Sequence, residues 1–328
     1  MTRGRELSGG EASLPGLEDN SRLQLATRVA WMYFVEGLRQ EDVAAALGIS
    51  RMRVNRLVAL AREEGLVRVE IVSPHRAACE LEARLCKVYG LREAVIVQDP
   101  QNPAQLVDCV GHALGSLLNR RLVDGMTVGV HHGRSTYAMF RGLVPASMPN
   151  LATVSLKGSL SPFGRIVPQE TVARLALTLE ASGYQLAAPS YARSLEERAL
   201  FMGLPIVQEV LDRARSCDIA VLTASRASDN GGLVGNGFVS PREVAELRAA
   251  GAVGAVLGVF VDEDGEAVDH QVNRLRIGLE LDDLAAVPDV ILSGAGREKA
   301  PALRAALRRS FTASLVTDEA TARDILAA

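Results

Sequence analysis

The sequence predicts an α/β protein of two domains, a small helical one at the N-terminus and a larger doubly wound one behind it. The first observation is length, because 328 residues exceed what one ordinary hydrophobic core accommodates. Secondly, apolar residues recur at helical spacing near the N-terminus, whereas beyond residue 76 short apolar segments alternate with helical ones. Thirdly, those short segments are apolar on both faces, which is typical of parallel strands covered by helices on both sides of a sheet.

The composition, with 48% hydrophobic and 23% charged residues, is that of an ordinary globular protein. No apolar run approaches the roughly 20 residues that cross a bilayer, so we expect a cytoplasmic protein with no membrane partner. Residues 1–20 are predicted to form a disordered tail, because acids and glycines stand where a signal peptide would need an apolar stretch.

The cysteines predict neither a disulfide framework nor a metal site. They form no CxxC pair and lie near no histidine at zinc-ligand spacing. We therefore expect reduced, mostly buried thiols, no metal and no cofactor apart from a small-molecule effector. The four cysteines are Cys79, Cys86, Cys109 and Cys217.

Residues 21–75 predict a compact helical domain. The first helix is expected from Leu23 to Val35, where apolar residues recur at helical spacing. The segment RQEDVAAALGIS predicts a second, short helix that ends at Gly48. A glycine tolerates the left-handed conformation that the following tight turn requires.

A third helix and a strand complete this domain. Ser50 can cap a helix that runs from about Arg51 to Glu64. The segment LVRVEIV alternates apolar and charged residues, which predicts a strand with one buried face. Three helices followed by a strand within about 55 residues are typical of a winged helix-turn-helix.

The third helix has the side chains that a DNA-reading helix needs. Its buried stripe is predicted from apolar residues at steps of three and four, namely Val54, Leu57, Val58 and Ala61. The opposite face carries arginine, which binds guanine, and asparagine, which binds adenine. The alternative is an ordinary solvated helix face. The predicted DNA-binding residues are Gln40, Ser50, Arg51, Arg53, Asn55 and Arg56.

The distribution of charge favours DNA binding over the solvated face. Residues 21–75 hold eight arginines and six acids, a net charge of +2, in a chain whose formal net charge is −3. Four arginines and no acid lie between Arg51 and Arg62. The positive charge is therefore concentrated on one helix, as in a DNA-binding module.

Residues 76–328 predict one doubly wound domain. The segment HRAACELEARLCKVYG predicts an amphipathic helix. In open α/β sheets, ligands bind beyond the carboxyl ends of the strands, where helix N-termini attract anions. The predicted strands are EAVIV, MTVGV, LATVSLKG, GYQLAAP, DIAVLT, AVGAVLGVFV, DVILSGAG and ASLVTD.

Three loops at strand ends are predicted to bind a ligand. In GVHHGRST, two glycines are expected to loosen the backbone while an arginine, a serine and a threonine offer donors to a phosphate or to hydroxyl groups. The second loop is SLKGSL, and in the third, SGAGREKA, glycines are expected to expose backbone N–H groups beside a lysine. The predicted effector-binding residues are Gly129, His131, His132, Gly133, Arg134, Ser135, Thr136, Lys157, Gly158, Ser159, Glu170, Gly294, Gly296 and Lys299.

Lysine is rare in this chain, because 33 of the 36 basic residues are arginine. Two of the three lysines, Lys157 and Lys299, nevertheless fall on the predicted ligand loops. Burial at the strand end could lower the pKa of Lys157 and let it form a Schiff base with an open-chain aldose. A hydrogen-bonding or solvated lysine is the alternative, and the sequence favours that alternative.

From about Leu23 to its end, the chain resembles the SorC-type sugar-sensing transcriptional regulators of bacteria. The resemblance implies a winged helix-turn-helix followed by a sugar-isomerase-like, Rossmann-type effector domain, and usually a tetramer. It also implies that Lys299 contacts a phosphate and that Lys157 is reactive, as in the deoxyribonucleoside branch. It is carried by LGISRMRVNRLVALAREEGLVRVEI, GVHHGRSTYAM, SLKGSL, RAAGAVGAVLGVFVDEDG, RIGLELDDL, GAGREKAPALRAAL and LVTDEATARDIL.

Several residues depart from the pattern that the resemblance implies. His132 stands where such regulators usually have an aromatic residue, and Ala255 stands where they have an acid that binds sugar hydroxyls. We therefore expect an effector with fewer hydroxyls, or with a different orientation at that end. Met52, Arg53 and Asn55 also depart from the usual residues, so the operator is expected to differ from those of relatives.

The sequence favours a DNA-binding regulator of a carbohydrate or nucleoside-sugar catabolic operon, and not an enzyme. A sugar or sugar phosphate would modulate its binding to double-stranded DNA, and a palindromic operator is expected because dimers read two half-sites. The alternative is a phosphosugar-metabolising, isomerase-like enzyme with an attached DNA-binding module, for which Glu170, Asp229 and His132 are the candidate acid/base groups. A DNA-binding protein without an effector would leave the glycine-rich loops unexplained.

Overall fold

The computed structural model describes residues 15–67, 73, 76–158, 171–229 and 231–327. The chain divides into two compact units, Met1–Ser73 and Pro74–Ala328. This division falls close to the domain boundary expected between residues 75 and 76.

The first helix of the N-terminal unit is longer than the sequence predicts. Helix α1 spans Pro15–Ala30 and continues as a π-helical turn over Trp31–Val35. The helix thus begins inside the range 1–20 that the sequence predicts as a tail, and its first residue is a proline, which is well tolerated in the first turn of a helix. Residues 1–14 lie outside the described part of the chain.

The helix-turn-helix itself is confirmed. Helix α2 spans Gln40–Leu47, and α3 spans Arg51–Glu63. Between them Gly48 has a φ of 64°, the left-handed conformation that the turn requires. The Ser50 hydroxyl accepts a hydrogen bond from the Arg53 N–H at 3.2 Å and caps α3.

The predicted apolar stripe of α3 is also confirmed. Val54, Leu57, Val58 and Ala61 are buried and pack against residues of α1 and α2, including Ala26, Val29 and Val43. Since these positions recur at steps of three and four, the opposite face of α3 is left exposed. The predicted wing strand, centred on residues 68–72, lies outside the described residues.

The C-terminal unit alternates strands and helices as predicted. Its strands are β1 Glu93–Val97, β2 Thr127–Val130, β3 Ala152–Ser155, β4 Ser182–Tyr184, β5 Ile219–Arg226, β6 Gly254–Val256, β7 Val259–Val261, β8 Asp289–Gly294 and β9 Ser314–Asp318. Its helices are α4 Arg76–Tyr89, α5 Leu106–Asn119, α6 Arg134–Ala138, α7 Val172–Thr178, α8 Leu195–Gly203, α9 Pro205–Arg215, α10 Gly232–Gly235, α11 Pro241–Ala249, α12 Gln271–Arg274, α13 Ala300–Arg308 and α14 Glu319–Leu326.

Seven of the described strands form a parallel sheet in the order β1-β9-β8-β5-β2-β3-β4. From β2 the chain proceeds outward through β3 to β4, and from β5 it proceeds the other way through β8 to β9. The order therefore reverses between β2 and β5, which is the switch point where doubly wound sheets bind ligands. The predicted fold class is confirmed.

Both faces of the sheet are covered. On β5, Leu222 packs in one apolar cluster and Val221 in another. On β8, Leu292 and Ile291 divide in the same way. Because successive side chains of a strand point to opposite faces, this division explains why these strands are apolar throughout.

The segment AVGAVLGVFV does not join the parallel sheet as predicted. It forms β6 and β7, an antiparallel hairpin whose first strand pairs with the end of β5. The turn residues Leu257 and Gly258 have φ values of 53° and 79°. Positive φ at both central residues is the signature of a two-residue hairpin turn, and the apolar composition hides this signal.

Candidate functional site

A cavity of about 390 Å³ lies at the switch point of the parallel sheet, between the carboxyl ends of β2 and β5. Its walls come from the carboxyl ends of β2 and β5 and from the segments that follow β5 and β8. The volume is within the range of about 300–1,000 Å³ that is usual for small-molecule sites. The lining residues are His131, His132, Gly133, Arg134, Thr223, Ala224, Ser225, Arg226, Gly231, Gly232, Leu233, Gly235, Asn236, Phe238, Glu298 and Lys299.

Three cations converge on this cavity. Arg134 follows β2, Arg226 ends β5, and Lys299 follows β8, so each comes from a different strand of the sheet. Arg134 is exposed, whereas Lys299 is 7% exposed. One carboxylate, that of the exposed Glu298, lies on the same wall. The cations outnumber it, so the cavity is suited to an anion.

The Lys299 ammonium is held in an unfavourable position in the absence of a ligand. Its pKa is lowered from 10.5 to about 8, chiefly by burial and also by the like charges of Arg134 and Arg226. The carboxylates of Glu298 and Asp318 act in the opposite direction without cancelling the shift. A bound anion would therefore relieve both the desolvation and the repulsion.

The loop that presents Lys299 is fixed by Asp318, the last residue of β9. The buried Asp318 carboxylate accepts hydrogen bonds from the Gly296 N–H at 2.8 Å, the Thr321 N–H at 2.9 Å and the Thr321 hydroxyl at 2.7 Å. The Gly296 N–H is therefore not exposed to a ligand, contrary to the sequence-based expectation. Gly294 lies within β8, where an added Cβ would be 2.9 Å from Leu303, so its role is close packing.

The loop after β2 contributes two histidines. His131 is 4% exposed, and its ring centroid lies 5.3 Å from that of His132. Burial holds the pKa of both rings well below the ordinary value, and the positive charge of Lys157 lowers both further. Both rings are therefore neutral at physiological pH. His132 also lies 5.7 Å from the Phe238 ring.

The other predicted residues of this loop have structural roles. Gly129 lies within β2 and does not loosen a loop, and Ser135 and Thr136 are buried and do not line the cavity. The Thr136 hydroxyl donates to the Gly133 carbonyl at 3.0 Å. Gly133 is required by space, because a Cβ there would lie 2.4 Å from the Thr223 methyl group.

Lys157 is buried rather than solvated. Its side chain is 1% exposed, and its ammonium donates to the Ser190 hydroxyl at 2.9 Å. The ammonium also lies 4.8 Å from the Phe238 ring centroid and 5.8 Å from that of Tyr191. Lys157 is not among the residues that line the cavity, whereas Phe238 is. The hydrogen-bonding alternative thus describes its geometry, and the Schiff base stays a prediction.

The remaining predicted ligand residues lie away from the cavity or outside the described chain. Gly158 packs against Pro189, where an added Cβ would be 2.2 Å from the carbonyl oxygen. Ser159 and Glu170 fall in the undescribed range 159–170. Of the predicted set, the structure therefore brings together His131, His132, Gly133, Arg134 and Lys299.

Sequence reasoning missed the contribution of β5 and of the segment after it. Arg226 and Ser225 are the last residues of an apolar strand, which is the same signal that identified the loops after β2 and β8. Asn236 and Phe238 offered no comparable signal, because they reach the cavity through an irregular segment beyond α10. Glu298 was adjacent to a predicted residue and was not considered.

The described residues contain no cluster of side chains that could hold a metal ion, and no helix among them is long and apolar enough to cross a membrane. All four cysteines are free thiols. The expectation that they are mostly buried is wrong, because Cys217 alone is buried and Cys79 is exposed.

The N-terminal unit has a groove of about 540 Å³ between α1 and α3. Three exposed arginines line it, Arg22 from α1 and Arg53 and Arg56 from α3. Ser50 and Met52 also line this groove. Sequence reasoning missed Arg22, whose place beside α3 depends on how the two helices pack.

The other predicted DNA-binding residues do not line this groove. Arg51 forms an exposed ion pair with Glu41 at 3.3 Å. Asn55 is exposed and Gln40 is half-buried at the start of α2. The exposed face of α3 nevertheless keeps the cations that contact with phosphates requires.

Comparison with known proteins decides the family. Residues 73–327 match the model of the family described as "Putative sugar-binding domain". The chain is also 30% identical over 308 residues to the transcriptional regulator LsrR from Enterobacter, covering 93% of each protein. The chain belongs to the SorC-type family of sugar-binding transcriptional regulators.

Two further named regulators are similar to this chain over more than nine tenths of its length. The erythritol catabolism regulatory protein EryD of Brucella abortus is 29% identical, with 92% of this chain and 96% of that protein covered. The deoxyribonucleoside regulator of Bacillus subtilis is 26% identical, with 94% and 99% covered. This protein is thus related to named regulators from its helix-turn-helix through its sugar-binding domain.

Solved structures of the family share the fold. The full-length sorbitol operon regulator SorC from Klebsiella pneumoniae has a TM-score of 0.70 at 24% identity, with 93% of this chain and 99% of that chain covered. A sugar-binding domain of a transcriptional repressor from Vibrio fischeri has a TM-score of 0.69 at 28% identity, with 76% and 98% covered.

Ala255, which departs from the pattern that the resemblance implied, lies beside the cavity. It lies in β6, is 1% exposed and pairs with Ser225, which lines the cavity. Its neighbours in the apolar cluster include Tyr191, Phe238 and Phe260. The strand beside the cavity therefore offers a methyl group where the pattern has an acid.

Proposed function

We propose that this regulator binds a phosphorylated sugar or polyol in the cavity at the switch point, and that the ligand changes the affinity of α3 for its operator. The observation that carries the proposal is the convergence of Arg134, Arg226 and Lys299 from three different strands. A phosphate group is the common biological anion that such a set accommodates, through several charge-assisted hydrogen bonds.

The polar and aromatic groups of the cavity lining also support the proposal. Hydroxyl and amide groups of Thr223, Ser225 and Asn236 stand beside the cations, as a polyhydroxy ligand requires. The rings of His132 and Phe238 add flat surfaces for a carbon skeleton. The cavity lining thus combines a set of anion-binding cations with polar and aromatic groups.

Thermal stabilisation by phosphorylated ligands tests the anion-binding cations. Ribose 5-phosphate and glucose 6-phosphate should raise the melting temperature, whereas ribose and glucose at the same concentrations should have a smaller effect. Arg134→Met should weaken binding of the phosphates roughly 10- to 100-fold, which corresponds to the loss of one charge-assisted hydrogen bond. Arg297→Met is the matched control, because Arg297 lies beside the same loop but pairs with Asp324 at 2.7 Å.

The DNA-binding half of the proposal is tested on an operator selected from random duplexes. Arg53→Ala should lower specific affinity roughly 5- to 150-fold, the usual effect of losing a bidentate contact with a base. Arg28→Ala removes an equal charge from an exposed position of α1 that does not line the groove. Equal losses in both variants would indicate a general electrostatic effect, and would count against base recognition by Arg53.

We further propose that the operator is palindromic and that the functional assembly is a tetramer. Two-fold related helix-turn-helix modules bind half-sites about one helical turn apart. Sedimentation of the free and DNA-bound protein tests the assembly, and the selected sequences test the palindrome.

We propose that the cavity binds its ligand without transforming it. Of the acid/base candidates, Asp229 forms an ion pair with Arg248 at 2.9 Å, and the buried histidines are neutral. Glu298 is the carboxylate that lines the cavity beside those histidines. Turnover of pentose or hexose phosphates that is abolished by Glu298→Gln would establish an enzyme instead.

A further inference from the structure

Two polar atoms of the loop after β2 are buried without a hydrogen-bond partner. They are His131 Nδ1 and Ser135 Oγ, which lie within five residues of each other. Three further atoms of this kind occur in the described residues, and those belong to other parts of the fold. Buried polar groups are nearly always hydrogen-bonded, and an orphaned one incurs the full cost of desolvation. An orphaned atom of this kind beside a cavity indicates that a ligand supplies its partner.

His131 is the one of these two residues that lines the cavity. The Nδ1 atom of its ring is buried and has no hydrogen-bond partner. A neutral imidazole has one N–H donor and one acceptor nitrogen, and the tautomer with its proton on Nε2 offers Nδ1 as the acceptor.

The surroundings of the ring keep it neutral. Lys157, Arg276 and Lys299 are the cations that act on it, and all three are buried. A neighbouring His132 adds no charge of its own. Because no group of the described residues is within hydrogen-bond distance of Nδ1, a ligand in the adjoining cavity is the available source of a partner.

We infer that His131 determines ligand specificity by accepting a hydrogen bond at Nδ1 from a hydroxyl group of the ligand. This inference rests on the proposed function, in which the phosphate of the same ligand is bound by Arg134 and Lys299. It narrows the ligand class to phosphates that carry a free hydroxyl group on the carbon skeleton. A hydroxyl-free phosphate of equal length leaves the acceptor unpaired and is discriminated against.

The first experiment compares ligands on the wild-type protein. Ribose 5-phosphate and glucose 6-phosphate are matched by chain length with pentyl phosphate and hexyl phosphate, and inorganic phosphate reports on the anion site alone. Calorimetric titration should show at least one hydroxylated phosphate binding 10-fold or more tightly than its alkyl counterpart. Equal affinities within both pairs would overturn the inference.

The second experiment changes the acceptor. His131→Phe keeps a ring of similar shape without the polar atom, whereas His131→Asn keeps a polar atom near the position of Nδ1. The Phe variant should lose the preference for the hydroxylated phosphate and keep its response to inorganic phosphate, and the Asn variant should retain part of the preference. An unchanged preference in His131→Phe would overturn the inference.

Unfolding of the ligand-free variants separates this role from simple packing. Because Nδ1 is buried without a partner, His131→Phe should leave the denaturation midpoint unchanged or raise it. A lowered midpoint together with unchanged ligand preference would show that His131 is only a structural residue. If inorganic phosphate fails to bind the wild type, the anion site of the proposed function fails instead, and ribose and glucose titrations then decide the role of His131.

Discussion

Lys299→Met is the substitution that most directly separates the binding role of the cavity from its contribution to stability. The Lys299 side chain is 7% exposed, and its pKa falls to about 8 from 10.5 because burial and the nearby arginines disfavour its charge. Methionine has a similar length and no charge, so it fills the same space. The variant should therefore be more stable than the wild type and unable to bind the anion.

The magnitude follows from the shift in pKa. A depression of about 2.5 units, at about 1.36 kcal/mol per unit, amounts to about 3 kcal/mol. At pH 7 the lysine is protonated in both the folded and the unfolded chain, so the wild type carries the whole penalty. As the pH rises through about 8 the folded lysine loses its proton first, and the penalty disappears by about pH 10.5. The advantage of the variant should shrink over that window.

Denaturant unfolding at pH 7 and at pH 9.5, with and without inorganic phosphate, provides the assay. Lys87→Met is the matched control, because Lys87 is exposed on α4 and the substitution is chemically the same. The reasoning is refuted if Lys299→Met is less stable than the wild type at pH 7 while phosphate still stabilises it. Such a result would mean that the ammonium is well paired within the folded chain.

Three further predictions concern the same domain. The free energy of unfolding should fall as the pH drops below about 6.5, because His131 and His132 take up protons more readily in the unfolded chain. Denaturant unfolding between pH 7.5 and pH 5 should show a smaller fall in a double variant, His131→Phe with His132→Phe. His112→Phe is the control, because it changes an exposed histidine and should keep the larger fall. Asp318→Asn should cost about 1.5–3 kcal/mol of stability and weaken phosphate binding, since the carboxylate accepts three hydrogen bonds that hold the Lys299 loop. Asp324→Asn is the control and should cost less, because Asp324 belongs to a more exposed ion pair. Equal losses of stability in denaturant titrations would contradict the role of Asp318. Ala255→Asp should destabilise the ligand-free protein by about 1–3 kcal/mol because it buries a carboxylate among apolar residues. The same variant tests whether the effector differs from common phosphosugars in the part that lies beside Ala255. Strong stabilisation of the wild type by standard hexose phosphates, unchanged in the variant, would disprove that expectation.

Local patterns predicted the elements of both units because each pattern has a single physical cause. The step of three and four along α3 places Val54, Leu57, Val58 and Ala61 on one face, and the structure buries all four. A glycine at position 48 and a serine at position 50 satisfy the turn and the cap locally, without help from distant residues. The wholly apolar strands likewise predicted a covered parallel sheet.

Predictions based on local patterns were wrong where two local conformations share one composition. AVGAVLGVFV is apolar throughout, so its hydrophobicity could not distinguish a parallel strand from a hairpin with a turn at Leu257 and Gly258. Glycines raised a similar ambiguity. Gly129 and Gly294 were expected to open loops, but they lie within strands, where Leu156 and Leu303 leave no room for a side chain.

The sequence by itself determined the order of elements, the exposed cationic face of α3 and two of the three cations of the cavity, because each depends on residues that are neighbours along the chain. Tertiary structure decided which strand ends meet. The reversal of strand order between β2 and β5 brings Arg226 beside Arg134, although 92 positions separate them along the chain. It also buried Lys157 beneath Phe238, paired the Gly296 N–H with Asp318, and left His131 Nδ1 without a partner. Burial and pairing depend on atoms from distant segments, and so they follow from packing rather than from any local pattern.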